Sequence, residues 1–293
     1  MYMLKQLKAM FLLFMLMPML SVGQNWGSAV AVAPANTTGT DLSLGFHSKM
    51  LVVNGNPAII SYDAQTSSIF YMRANDASGT SWGTPYVIDG GYPNYKYGFA
   101  IVNGNPAVTY TDASSSILKY CRANNANGTS WGTPVSLSTS VYGASSLVIV
   151  NGNPAVAYYT FNIIKYVRAS DANGSSWGTA VNAVSSPGTT TLLDMQVVNG
   201  NPAIVYAPNS TGIKYVRASD ATGTTWGSVV TVSSTTTDTD PSMAIVSGNP
   251  AIVCKGSSII KYFYASDASG STWGSATTVV SGSTYLSPCL AVV

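Results

Sequence analysis

The sequence contains no glutamate and only one histidine, His47. All 11 of its acidic residues are aspartates, and charged residues of either sign make up only 8% of the 293 residues. A cluster of histidine ligands for a metal ion is therefore excluded, and a Ser-His-Asp triad would have to be built on His47. We predict no metal, no cofactor and no catalytic residue for this chain.

Excess charge is also missing. Lys5 and Lys8 lie in an N-terminal segment that we expect to be removed, which leaves 13 − 2 = 11 basic residues against 11 acidic ones. A surface with no net charge has no electrostatic means of holding nucleic acid or an anionic membrane. The expected partner is a glycan or another neutral ligand. Three cysteines (Cys121, Cys254 and Cys289) are too few for a disulfide framework, although a single Cys254–Cys289 bridge stays open.

Long apolar runs are absent after the first residues. Lys5 and Lys8 precede the apolar stretch 9–20, and small residues follow at Ser21 and Gly23. This is the pattern of a secretory signal peptide over 1–23, with cleavage expected after Gly23. The stretch is short for a membrane span, so the sequence predicts secretion without membrane insertion.

What the sequence does contain is a repeat. Asn-Gly-Asn-Pro-Ala begins at Asn54, Asn103, Asn151 and Asn199, at steps of 48 or 49 residues, and returns with Ser247 in place of the first asparagine. Each unit reads as four short strands, called a, b, c and d. Asn-Gly supplies the tight a–b turn because both of its central residues need positive φ. Four antiparallel strands in about 48 residues are typical of a β-propeller blade.

The predicted fold is therefore all-β, a β-propeller of four-stranded antiparallel blades in residues 24–293. The five complete repeats are expected at about 49–88, 98–137, 146–183, 194–232 and 242–279. Lone strands at 26–32 and 289–293 would form an incomplete sixth blade from the two chain ends. Such a blade leaves strand edges unpaired, so we expect either a longer array or self-association that completes the ring.

The turn between strands c and d carries a second signature. It starts with an aspartate or asparagine, contains a glycine, and ends in a Trp-Gly pair. The residues are Asp76, Asn125, Asp171, Asp220 and Asp267, followed by Trp82, Trp131, Trp177, Trp226 and Trp273. This turn resembles the Asp-box (BNR-type) repeat of sialidase-superfamily propellers and exported bacterial repeat proteins, with one extra residue between Asp and Gly. We expect a structural role, in which Asp caps its own turn and Trp packs against the next blade.

The chain direction places the a–b and c–d turns on one edge of the blades, the turn rim. The b–c loops and d–a connections, which vary in sequence, lie on the opposite edge, the variable rim, where we expect ligand binding. Candidate aromatic contacts include four tyrosines at the end of strand b, taken as equivalent: Tyr62, Tyr110, Tyr158 and Tyr206. Further candidates in the connections and loops are Tyr92, Tyr95, Tyr97, Tyr142, Tyr159 and Phe161. Ordinary packing between blades remains the alternative for the four strand-b tyrosines.

The resemblance to sialidases implies a possible hydrolase. A glycosidase needs two carboxylates across a cleft, and Asp63, Asp89 and Asp112 are the candidates on the variable rim. The repeated arginines Arg73, Arg122, Arg168 and Arg217 lie on the turn rim, where we expect them to pair with the Asp box. The sequence favours an exported, non-catalytic, lectin-like propeller. A sialidase-like glycoside hydrolase and a structural or adhesive module are the alternatives.

Overall fold

The structure, a computed structural model, describes residues 44–63, 66–90, 97–112, 114–190, 192–209, 211–282 and 287–292, and of 44–47 only the backbone. These residues form 20 strands and no helix. The strands make five four-stranded antiparallel sheets arranged as a five-bladed β-propeller. The predicted all-β propeller fold is confirmed. The predicted signal peptide and the lone strand 26–32 lie outside the described residues.

Each blade takes its four strands in chain order. Blade 1 contains β1 (Leu44–Val53), β2 (Asn56–Asp63), β3 (Ser68–Arg73) and β4 (Tyr86–Gly90). Blade 2 contains β5 (Gly98–Val102), β6 (Asn105–Asp112), β7 (Ile117–Arg122) and β8 (Val135–Ser138). Blade 3 contains β9 (Ser145–Val150), β10 (Asn153–Thr160), β11 (Ile163–Arg168) and β12 (Val181–Ser185). Blade 4 contains β13 (Leu193–Val198), β14 (Asn201–Tyr206), β15 (Ile213–Arg217) and β16 (Val230–Ser233). Blade 5 contains β17 (Thr239–Val246), β18 (Asn249–Lys255), β19 (Ile259–Tyr264) and β20 (Thr277–Ser281).

The a–b turns have the geometry that the sequence predicts. In blade 1, Asn54 and Gly55 have φ angles of 44° and 82°. Positive φ at both central residues is the type I′ turn, whose twist matches that of the two strands it joins. The same turn recurs in the other four blades, so one short motif sets the first hairpin of every blade.

The apolar core lies between the blades. Separate clusters fill the interfaces between blades 1 and 2, 2 and 3, 3 and 4, and 4 and 5. Met195 of β13 shows the pattern: it is fully buried between blades 3 and 4. Its equivalents Phe99, Leu147 and Met243 are no more than 6% exposed. Each blade is therefore stabilised mainly by its neighbours, as in other repeat proteins.

The two terminal blades depart from this pattern. Met50 of blade 1, the equivalent of Met195, is 64% exposed. Val279 of blade 5 is 60% exposed, whereas its blade 1 equivalent Ile88 is 8% exposed. Among the described residues, no apolar cluster joins blade 5 to blade 1. Among the described residues, no second blade therefore packs on one apolar face of each terminal blade.

The C-terminal segment 287–292 lies against blade 5. The Leu290 backbone N–H donates to Ser242 Oγ at 3.2 Å, as the Met243 N–H donates to Asp194 Oδ2 at 3.0 Å one blade earlier. Leu290 is therefore bonded to β17 in the same way as β17 is bonded to β13, by a backbone N–H that donates to a side-chain oxygen. The strand expected at 289–293 is nevertheless not formed over 289–292. A strand needs a partner for its backbone, and no described segment provides strand b of a sixth blade.

Candidate functional site

The Asp-box turns cap themselves. Asp76 Oδ1 accepts hydrogen bonds from the backbone N–H groups of Ser78 (3.0 Å) and Thr80 (3.1 Å), and its Oδ2 accepts from that of Ser81 (3.0 Å). The Thr80 N–H is the largest of the contributions that together lower the pKa of Asp76 to about 2. The other boxes repeat the arrangement, and in blade 2 the amide oxygen of Asn125 takes the place of the carboxylate. The turn rim is a structural edge.

In blades 2 to 5 the box tryptophans contact the preceding blade, so the expectation that they pack on the next blade is wrong there. Each indole N–H donates to the carbonyl of its own box glycine, as Trp131 Nε1 does to Gly128 O at 2.8 Å. This bond turns the ring back toward a strand-c tyrosine of the previous blade. The pairs are edge-to-face, with centroids 5.1–5.4 Å apart: Tyr71–Trp131, Tyr120–Trp177, Tyr166–Trp226 and Tyr215–Trp273.

The repeated arginines tie the a–b turn of their own blade and not the Asp box. Arg73 donates from Nε to Val53 O (2.8 Å) and from a terminal guanidinium nitrogen to Asn54 O (2.7 Å). Arg122, Arg168 and Arg217 make the same two bonds. The last carbonyls of strand a need donors, and the guanidinium fork supplies two at once. These arginines are structural, as the sequence indicated, but with different partners.

On the variable rim, the four strand-b tyrosines are not equivalent. Tyr110, Tyr158 and Tyr206 pair across the sheet with lysines, whereas the residue of blade 1 at that register is Ser61, opposite Phe70. Tyr62 is one residue further along and therefore points to the other face of its blade. All four side chains are at most 3% exposed and belong to the clusters between blades. Packing is their main role.

Two of the three candidate aspartates meet at one lysine. Lys119 Nζ lies 2.8 Å from Asp89 Oδ2 and 3.5 Å from Asp112 Oδ2, and the Tyr110 hydroxyl donates to the same Asp89 oxygen. Burial raises the pKa of Tyr110, and the bond to Asp89 raises it further. Burial opposes ionisation of Asp112, but hydrogen bonds from Ser114 and Ser115 outweigh it and lower the pKa of Asp112. Asp63, the third candidate, accepts from Thr66 Oγ1 at 2.8 Å.

The candidate aromatic residues of the loops fall into two groups. Tyr97 is fully buried and Tyr159 is 7% exposed, while Tyr92 and Tyr95 lie outside the described residues. Tyr142 and Phe161, in contrast, are 40% and 67% exposed. The structure therefore leaves one pair of candidate rings accessible.

Tyr142 and Phe161 lie against each other, edge-to-face, with ring centroids 5.1 Å apart and planes at 70°. Phe161 occupies the two-residue turn between β10 and β11, where it and Asn162 have φ angles of 39° and 62°. The Tyr142 backbone N–H donates to Tyr159 O at 3.3 Å, which fixes the connection between blades 2 and 3 next to that turn. Loops of two blades thus hold one exposed aromatic surface, the Tyr142–Phe161 pair.

Sequence reasoning missed a set of lysines. They are Lys119, Lys165, Lys214 and Lys261, all in strand c. The residues directly opposite them in strand b are Tyr110, Tyr158, Tyr206 and Cys254, in the same order. The sequence does mark these lysines as a repeated feature, because each of the four is followed directly by a tyrosine. Lys261 contacts both oxygens of Asp238 at 2.7 and 2.9 Å, as Lys119 contacts Asp89.

Within the described part of the chain, no group of three or more His, Cys, Asp or Glu residues is placed to hold a metal ion. No helix of that part is long and apolar enough to cross a membrane. The three cysteines are unpaired, with Cys121 and Cys254 buried and Cys289 exposed.

No protein-family model matches the sequence, and no curated protein matches it. The Asp-box resemblance therefore stays a prediction. Among solved structures, the chain is similar to the Aleuria aurantia lectin AAL in complex with Fucα1-6GlcNAc, with a TM-score of 0.55 and 13% identity over 81% of this chain and 80% of the lectin. It is also similar to the NanB sialidase from Streptococcus pneumoniae, with a TM-score of 0.54 and 9% identity over 75% of this chain.

A third similar structure is an exo-β-1,3-galactanase from Phanerochaete chrysosporium with galactose, with a TM-score of 0.51 and 12% identity over 83% of this chain. The chain spans 58% of the sialidase and 66% of the galactanase, so both are longer proteins. At these identities the likeness establishes the propeller fold. The neighbours are carbohydrate-active propellers of both kinds, a lectin and glycoside hydrolases.

Proposed function

We propose that this chain is a non-catalytic, lectin-like β-propeller that binds carbohydrate at its variable rim. The observation that carries the proposal is the exposed Tyr142–Phe161 pair. Aromatic faces cover the C–H patches of a sugar ring, and nearby polar groups take its hydroxyls. Every other described candidate aromatic residue is buried, so this pair is where a ring-stacking ligand has access. The sugar-binding names of the structural neighbours support the same class of ligand.

The local backbone favours a preformed platform. Thr160 Oγ1 donates to Ser140 O at 2.6 Å, and the Asn162 N–H donates to the Tyr159 hydroxyl at 3.2 Å. The Thr160 bond connects the hairpin that carries Phe161 to the connection that carries Tyr142, and the Asn162 bond braces the hairpin itself. A surface held in place before binding loses less entropy when a ligand arrives.

A glycan array probed with the purified chain, followed by titration with the best ligand, tests the proposal. Phe161→Ala and Tyr142→Ala are each expected to weaken binding by roughly 5- to 150-fold, since stacking on an aromatic ring contributes on the order of 1–3 kcal/mol. The control is Val135→Ala, an exposed side chain on strand d of blade 2 (37% exposed) that lies outside the pair. Unchanged binding by both aromatic variants would remove the aromatic pair from the site.

A glycoside hydrolase is the second candidate, and the Asp89–Lys119–Asp112 cluster is the observation that favours it. A general acid for glycoside cleavage needs a raised pKa, whereas the pKa of Asp112 is lowered and Asp89 is paired with a lysine. We therefore place this activity second. Release of fluorophore from aryl glycosides, lost in Asp89→Asn, is the result that would reverse the order.

We also propose that the chain is exported through residues 1–23. Mass measurement of the protein recovered from the growth medium, with Gln24 as the first residue, tests this. The adhesive alternative draws on the open faces of blades 1 and 5, which would suit self-association.

A further inference from the structure

The repeated tyrosine–lysine pair lies in the groove between two blades, close to the variable rim. In the groove between blades 1 and 2, the Tyr110 hydroxyl and the Lys119 ammonium donate to one carboxylate oxygen of Asp89, at 2.5 and 2.8 Å. Asp89 belongs to strand d of the preceding blade. The pair therefore shows, within this protein, what it binds: a carboxylate presented from the side of the preceding blade.

The groove between blades 3 and 4 contains the same pair without the carboxylate. Tyr206 and Lys214 are directly opposite each other, as Tyr110 and Lys119 are. Where Asp89 stands in the first groove, the preceding blade here provides Val184 and Ser185. Among the described residues no carboxylate contacts Lys214, whose hydrogen-bond partner is the Thr231 hydroxyl at 2.9 Å.

This groove opens into a pocket of about 330 Å³, which Tyr206 and Lys214 line together with Ser185, Pro187, Pro208 and Thr231. The volume lies at the lower end of the range for small-molecule sites, which suits one or two sugar rings. Tyr206 is 2% exposed, and its hydroxyl has no hydrogen-bond partner among the described residues. Because Tyr206 lines the pocket, a ligand acceptor can take the hydrogen bond that its hydroxyl donates.

The pocket adjoins the Tyr142–Phe161 pair. The Ser186 N–H donates to Asn162 O at 3.0 Å, and the Gly188 N–H donates to Asn162 Oδ1 at 2.9 Å. Asn162 follows Phe161 in the exposed turn, so that turn and the pocket wall at 185–188 are bonded to each other. A chain of sugar residues that stacks on Phe161 has the pocket next to it.

We propose that the Tyr206–Lys214 pocket binds the carboxylate of an acidic sugar residue, such as a uronic acid, in the place that Asp89 fills between blades 1 and 2. This rests on the proposed carbohydrate-binding function and sharpens it. The overall neutral charge of the chain led us to expect neutral ligands, but Lys214 is a local cation that no described carboxylate neutralises. Charge-assisted hydrogen bonds from an ammonium and a phenol hydroxyl supply the selectivity for an acid.

The test compares methyl β-D-glucuronide with methyl β-D-glucoside, which differ at C6 in having a carboxylate or a hydroxymethyl group. Titrations followed by NMR or calorimetry at low salt are expected to show roughly tenfold tighter binding of the glucuronide. Lys214→Met and Tyr206→Phe are expected to abolish this preference, and Lys214→Arg to retain it. The preference is also expected to shrink as salt is added, because screening weakens a partly exposed ion pair.

Lys165→Met is the matched control. Lys165 has the same register opposite Tyr158, but neither residue lines the pocket of Tyr206 and Lys214. This variant should keep the preference for the glucuronide, and thermal melts of all variants verify folding.

Equal affinity for the two glycosides, with binding still lost in Phe161→Ala, overturns the acid pocket and leaves the lectin function standing. Equal loss of the preference in Lys165→Met and Lys214→Met also overturns it, because net charge would then explain the effect. Binding of acetate as tight as that of the glucuronide, with no glycoside bound elsewhere, overturns both proposals.

Discussion

Tyr166→Phe removes a single oxygen atom from the interface between blades 3 and 4. The Tyr166 hydroxyl donates to Thr222 O in the Asp-box turn of blade 4 at 3.0 Å, and the ring packs edge-to-face on Trp226 at 5.4 Å between centroids. Phenylalanine keeps the ring contact and loses the hydrogen bond. The Thr222 carbonyl is left with one partner fewer in a partly buried site, so the variant isolates the bond that joins the two blades.

A lost hydrogen bond of this kind costs about 1–2 kcal/mol. For a domain of this size the melting temperature is expected to fall by roughly 2–6 °C. Urea unfolding followed by circular dichroism measures the change, which should appear in the transition midpoint and not in the slope.

Blade 5 provides the control. Tyr262 has the strand-c position that Tyr166 has in blade 3, but no described Asp-box turn follows it, and its ring stacks on Tyr264 instead. Tyr262→Phe is therefore expected to change stability by less than about 0.5 kcal/mol. Equal losses in the two variants would refute the reasoning, because the cost would then not come from the contact with the following blade.

Two further predictions concern the open face of blade 1 and the acid sensitivity of the turn rim. Met195→Ala should cost about 2–5 kcal/mol in urea unfolding, while Met50→Ala, at the equivalent exposed position, should be nearly neutral. A similar cost for both would show that the face of blade 1 is covered in solution. The pKa of Asp76 falls from 3.8 to about 2 on folding, so its contribution to stability is complete above about pH 4 and is lost as the pH falls through about 2. Asp76→Asn should flatten the loss of stability between pH 4 and pH 2, and an unchanged acid profile would contradict the capping role.

The repeat predicted the blades because its signals are local. An Asn-Gly pair sets a type I′ turn within four residues, and an Asp box closes on its own backbone. Such patterns specify a unit without reference to its neighbours. For this reason the sequence predicted where blades begin and how their hairpins turn, but gave the wrong neighbour for the tryptophans. The bond from Trp131 to Gly128 fixes the indole within its own unit, but which blade lies on that side depends on the order of the blades in the propeller, which no local motif specifies.

The placement of the tyrosines failed for a different reason. Tyr62 lies eight residues after Asn54, whereas Tyr110 lies seven after Asn103. In a strand, one residue of difference reverses the face. The sequence contained this information, and counting from the Asn-Gly turn separates Tyr62 from the others. The partner of Lys119 was not available in the same way, because Asp89 lies in another repeat, near the end of β4, and no motif specifies contacts between strands of different blades.

The tyrosine–lysine pairs show how a repeat can carry different roles at identical positions. Residues within a blade set the pair, but the third group comes from strand d of the preceding blade or from the connection that follows that strand, and there the repeats diverge. Asp89 pairs with Lys119 in one groove and Asp238 pairs with Lys261 in another, so each of these two grooves has a structural ion pair. Where strand d of the preceding blade has Val184 and Ser185, the same chemistry is left without its carboxylate. On the proposal above, a groove that lacks the structural carboxylate takes one from a ligand, with the chemistry that Asp89 shows in the first groove.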